Sequence, residues 1–185
     1  MEAELDAFAE RLLRFNRAAL IRLRHGWVWG YLPWEVLVAM PFPDATGDSV
    51  VSALDRGPRD AAWRIAMPPE SFQVVERLPA AFIPGAAAAA ARTLRELSGR
   101  AGERAIRDAL LDHEVVVGRS DVDGTPFVVT QRLVQAMYRM NLAGEESAEV
   151  RLAGHWTGLA TSLGQAWWRP KSALTIRPIV NQPIG

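Results

Sequence analysis

No cysteine occurs among the 185 residues, and histidine occurs only three times. Such a chain has no disulfide framework, thiolate zinc site, iron–sulfur cluster or cysteine nucleophile to draw on. Buried apolar surface alone must hold its fold. At this length a chain buries roughly 70% of the surface its extended form exposes, enough for one domain without a staple. With 49% apolar and 23% charged residues, the composition is that of an ordinary globular protein.

The 21 basic residues cancel the 21 acidic ones. The balance excludes a highly basic nucleic-acid tail and a disordered polyelectrolyte. It also hides segregation. Acid precedes base in the first 24 residues, and after Glu149 only Arg151, Arg169, Lys171 and Arg177 carry formal charge. Every basic residue but Lys171 is arginine, which fits GC-rich bacterial coding; Ala86 to Ala91 point the same way. Bidentate recognition of phosphate or carboxylate is the functional alternative.

Leu5, Phe8, Leu12, Phe15 and Ala19 follow a helical stripe that Leu23 extends, so one amphipathic helix is expected over 1–25, stopped by Gly26. On that helix Arg11, Arg14, Arg22 and His25 share the polar side and form a candidate docking surface for anions. A mixed, β-rich part is expected over 27–83. It holds alternating aromatics at Trp27, Trp29 and Tyr31, a strand with Trp63, Ile65 and Met67 on one face, and a short helix over 70–77.

A helix–hairpin–helix part is expected over 84–142. Its helices run over 86–97 and about 102–113, and Asp123-Gly124 turns a hairpin between two β-branched runs. Thr130 is placed to cap the helix that follows, with Gly144 as its stop. A β-rich tail completes the chain over 148–180, with strands near 150–152, 157–161, 167–168 and 174–176. No internal repeat is evident. The expected fold class is a single α+β domain with a long N-terminal helix, central helices, a β-hairpin and a β-rich C-terminal segment.

Catalytic signatures are missing: no dinucleotide or phosphate loop, zinc-protease helix or nucleophile elbow is present. Gly154-His155-Trp156-Thr157-Gly158 matches no phosphate cradle, and glycine relief in a twisted strand explains it better. Asp121 to Thr125 opens like a calcium loop but has no glutamate at the twelfth position. A metal site would require His25, His113 and His155 together, so neither metal nor cofactor is expected.

The tryptophans remain. Trp27, Trp29 and Trp34 form one cluster; Trp156, Trp167 and Trp168 form another beside Arg169. Indole is enriched at interfaces, and adjacent Trp167 and Trp168 face opposite sides of a strand. The leading expectation is a non-enzymatic protein–protein or assembly module, a homo-oligomer or subunit, using these seven residues and the Leu5–Phe8–Leu12–Phe15 seam. Nucleic-acid binding through arginine and stacking aromatics competes with it. A small-molecule site near His155, with Arg151 or Arg169 holding a carboxylate, is the third reading. The acidic start and the lack of a long apolar run predict a cytoplasmic protein with no membrane span.

Overall fold

Helix α1 (Glu2–Leu13) leads into an antiparallel meander of β1 (Leu20–Arg24), β2 (Trp27–Leu32) and β3 (Val36–Pro41), and β4 (Asp48–Ser52) pairs back onto β1. After β5 (Gln73–Leu78) come α2 (Phe82–Leu97), α3 (Glu103–Asp112), a hairpin of β6 (Glu114–Arg119) and β7 (Pro126–Thr130), and α4 (Gln131–Arg139). A second meander of β8 (Ala148–Ala153), β9 (Trp156–Thr161) and β10 (Gly164–Trp168) follows. This computed structural model describes residues 2–97 and 103–170; the expected strand at 174–176 lies outside them.

Eight strands form one antiparallel sheet in the order β4-β1-β2-β3-β10-β9-β8-β5, and β6-β7 stand apart. The result is a mixed α+β fold dominated by its sheet. No helix among the described residues is long and apolar enough to cross a membrane.

The sheet has two differently covered faces. On one, Phe8 and Leu12 of α1, Ile83 of α2 and Leu133 and Met137 of α4 meet Ile21, Val28, Val38, Val150 and Leu159, all essentially inaccessible. Large side chains buried this way contribute about 1.5–3 kcal/mol each. The other face carries a second cluster of Trp29, Leu37, Ala39, Ala153, Trp156 and Trp167. Across it runs residues 63–72, a strap linking the β4 side of the sheet to β5 at the opposite edge, with Trp63, Ile65 and Met67 packed downward.

Several local expectations are corrected. The first helix ends at Leu13, because Ile21–Arg24 takes hairpin pairing with Trp27–Gly30, an option invisible to a local stripe. Asn16 marks the break by accepting a hydrogen bond from the Ala18 N–H at 2.9 Å. His25 (φ 49°) and Gly26 (φ 78°) supply the paired left-handed residues of a two-residue hairpin turn, so Gly26 ends a strand and not a helix. The Leu5–Phe15 stripe faces the chain's own core.

Residues 73–78 are a strand paired with β8, where a helix was expected over 70–77; Val74 and Val75 suit the pleat. Trp63, Ile65 and Met67 alternate as expected but sit in no strand, since the strap crosses the sheet without joining a ladder. Thr130 precedes α4 yet makes no side-chain cap.

The sheet order also exposes an internal repeat. Helix, turn and three-stranded meander occur twice, and the two meanders meet through β3 and β10. Their first hairpins share one register: Ile21, Arg22, Leu23 and Arg24 oppose Gly30, Trp29, Val28 and Trp27, as Val150, Arg151, Leu152 and Ala153 oppose Leu159, Gly158, Thr157 and Trp156. The match extends to Arg14-Phe15-Asn16 and Arg139-Met140-Asn141 at the two helix ends. An approximate two-fold axis between β3 and β10 relates the halves.

Candidate functional site

Beside the strap, at the sheet end where β1 turns into β2, lies a cavity of about 510 Å³. Its floor and walls include Trp27, Trp29 and Trp167; Met67, Pro68 and Phe72 come from the strap; Arg24, His25, Glu70, Arg151, Thr161 and Gln165 are the polar lining. The size suits a small organic ligand. Trp27 and Trp29 rings stand 6.3 Å apart, and Phe72 lies 6.2 Å from Trp167.

Pleating explains why the indoles collect here. Trp27 and Trp29 are two residues apart on β2 and share a face. Trp167 lies over Gly158, where a Cβ would stand 2.7 Å from the ring, so glycine is what lets the indole lie flat on β9. Trp167 is only 2% exposed, and its Nε1 finds no hydrogen-bond partner among the described residues.

The two guanidinium groups differ in how firmly they are held. Arg151 donates to Glu149 Oε2 from Nε (3.0 Å) and Nη2 (2.7 Å) and to Gln165 Oε1 from Nη1 (3.3 Å), while its Cζ lies 4.3 Å from the Phe72 ring centroid. Arg77 closes on the same Glu149 carboxylate at 2.8 Å. Arg24 is held loosely. Asp48 is already taken by Arg22 at 2.6 and 2.7 Å, a bond that holds the Asp48 carboxyl below its usual pKa and raises that of Arg22. Arg24 therefore reaches Asp48 only at 3.8 Å and Glu70 at 3.6 Å. His25 Nδ1 stands 3.3 Å from the same Glu70 oxygen. Glu70, 80% exposed on the strap, is thus a carboxylate set between two basic groups above an indole floor.

The expected site residues divide by face. Trp27, Trp29, Trp156 and Trp167 share the strap face, with Trp29 and Trp156 each 8% exposed. Trp34 and Trp168 pack on the helix face. Trp34 meets Phe15 edge-on at 5.2 Å and donates from Nε1 to the Arg132 carbonyl. Arg169 lies 5.0 Å over Trp156.

The basic quartet expected on one helix is dispersed. Arg11 donates to the Met140 carbonyl, Arg14 is exposed just past α1, Arg22 projects from β1, and His25 sits in the turn at the cavity mouth. Ending the helix at Leu13 is what separates them. His155, in the β8–β9 turn, is absent from the lining of the cavity.

Arg24, Glu70, Phe72 and Gln165 escaped the sequence reading. Arg24 had a local signal, its place beside His25 at a turn, whereas Glu70 arrives only because the strap crosses the sheet. No group of three His, Asp or Glu side chains among the described residues is placed to hold a metal. Thr161, the hydroxyl in the lining, spends its Oγ1 proton on the Leu142 carbonyl at 2.6 Å. Aromatic faces and cations suit this site to retaining a ligand.

Fold and site together define a two-faced α+β domain, helices on one side of the sheet and a strapped aromatic pocket on the other. The chain belongs to the family described as Domain of unknown function (DUF8185), which matches residues 67–173. That match takes in the second meander and leaves the first outside it. No curated protein matches the chain, and no solved structure does.

Proposed function

We propose that the protein is a non-enzymatic binding module for small, flat anions, of which an aromatic carboxylate is the simplest. The observation that carries this reading is Glu70, whose carboxylate oxygen sits between Arg24 and His25 over the indole floor. A ligand's acid group takes that place, and its ring lies on the tryptophans. Cation, aromatic face and hydrogen-bonding Gln165 are complementary to such a molecule.

This reading moves the functional surface away from a broad tryptophan docking patch. Trp29, Trp156 and Trp167 offer little area to a protein partner while the strap lies over them. Titration of the full chain with naphthoate by calorimetry tests the proposal. Saturable binding is expected, with the neutral naphthyl alcohol bound far more weakly. Arg24→Ala weakens naphthoate on the order of ten- to hundredfold, the worth of one charge-assisted hydrogen bond. Equal affinity for acid and alcohol contradicts the proposal.

A further inference from the structure

The internal repeat carries a consequence for the far side of the strap. The register that equates Arg24 and Trp27 with Ala153 and Trp156 also equates Ala160 with Tyr31. Trp27 and Ala160 line the first cavity; Trp156 and Tyr31 line a second, of about 440 Å³, at the opposite end of the strands. The approximate two-fold axis therefore carries one aromatic recess onto another, with the strap between them.

The cations, however, do not follow the repeat. Ala153 and Gly154 stand where the first half has Arg24 and His25. Two other arginines take over: Arg64 from the strap and Arg169 from just beyond β10, the latter 5.0 Å over the Trp156 ring. Glu35 adds one carboxylate to this lining, as Glu70 does to the first. One indole position, Trp27 and Trp156, is thus repeated in both recesses, while each recess draws its cations from different segments.

We infer that this second recess is another binding site for flat anions, with Trp156 and Tyr31 as its aromatic surface and Arg64 and Arg169 as its cations. A ligand ring stacks where the Arg169 guanidinium now lies, and its acid group pairs with the displaced guanidinium and with Arg64. This second site depends on the repeat and on Arg169, so it stands or falls apart from the first.

Calorimetric titration of the full chain with naphthoate tests it. Two equivalents are expected to bind. Arg169→Ala removes one and leaves the other sensitive to Arg24→Ala, and Arg64→Ala weakens the same equivalent that Arg169→Ala removes. Both side chains are exposed, so the variants are expected to keep the wild-type circular dichroism melt. A single equivalent abolished by Arg24→Ala and indifferent to Arg169→Ala overturns the second site and leaves the first intact. A single equivalent lost only with Arg169→Ala upholds the second and overturns the first. Absence of binding overturns both.

Discussion

Arg22 and Arg151 occupy equivalent positions in two hairpins of identical register, and each guanidinium faces an aromatic ring of the strap: Trp63 at 5.9 Å and Phe72 at 4.3 Å. Each is also anchored by a carboxylate, Asp48 for Arg22 and Glu149 for Arg151. The strap is thus pinned at both ends by side chains that the repeat supplies twice. Between the pins Ile65 and Met67 pack on the sheet, and Glu70 reaches Arg24 and His25.

Loosening a pin should therefore free the strap before it unfolds the sheet. Arg64 is exposed on the strap and offers trypsin a cleavage site. Phe72→Ala and Trp63→Ala are each expected to speed cleavage after Arg64 about fivefold, the factor that ~1 kcal/mol of lost stacking gives. Limited proteolysis followed by mass spectrometry checks this, and wild-type cleavage rates in both variants contradict it.

Gly158 is constrained by contact, since an added Cβ stands 2.7–2.9 Å from three atoms of the Trp167 ring. Gly158→Ala is expected to cost about 1–3 kcal/mol by overpacking. The same substitution beside Trp167→Phe is expected to cost less, because the smaller ring vacates the space. Denaturant midpoints of the four-protein cycle measure the coupling.

Thr130 holds the position of a helix cap without acting as one, and its Oγ1 is buried with no partner among the described residues. Thr130→Val is therefore expected to be neutral or to stabilise by up to about 1 kcal/mol, since it removes an unsatisfied hydroxyl. A working cap would instead lose about 1 kcal/mol. Thermal denaturation gives the sign.

The Arg22–Asp48 pair acts on the acid side. Its hydrogen bond lowers the Asp48 pKa, so its stabilisation is complete above the ordinary carboxylate value of about 3.9 and fades as pH falls through the lowered one. Asp48 is partly exposed, which limits the effect to under ~1 kcal/mol. Asp48→Asn should shrink the stability difference between neutral pH and the strongly acidic range, as followed by urea unfolding at several pH values.

Much of the fold was legible where local signals and final structure agree. The helices at 82–97 and 103–112, the Asp123-Gly124 hairpin and α4 follow propensity, turn chemistry and periodicity. Failures cluster where distant pairing decides. Leu20–Arg24 fits a helical stripe as well as a strand, and only its partner β2 selects the latter. Gln73–Leu78 becomes a strand because β8 lies beside it.

The repeat stayed hidden because few side chains match. Arg22 and Arg151, Leu23 and Leu152, and Trp27 and Trp156 agree, but the turn preceding the first strand is longer in the second half. The candidate site was half legible. Its tryptophans and His25 stand out in the sequence, but Glu70 and Phe72 reach it through a crossing that no local pattern encodes.

Substituting Glu70 isolates what its carboxylate does. If its carboxylate holds the place of a ligand's acid group, Glu70→Gln frees Arg24 and His25 without altering the floor. Naphthoate affinity at the Arg24-dependent site should then rise by up to about fivefold, the ~1 kcal/mol that releasing one exposed ion-pair competitor gives. Unchanged or weakened binding in Glu70→Gln, with the variant as stable as the wild type, contradicts the account.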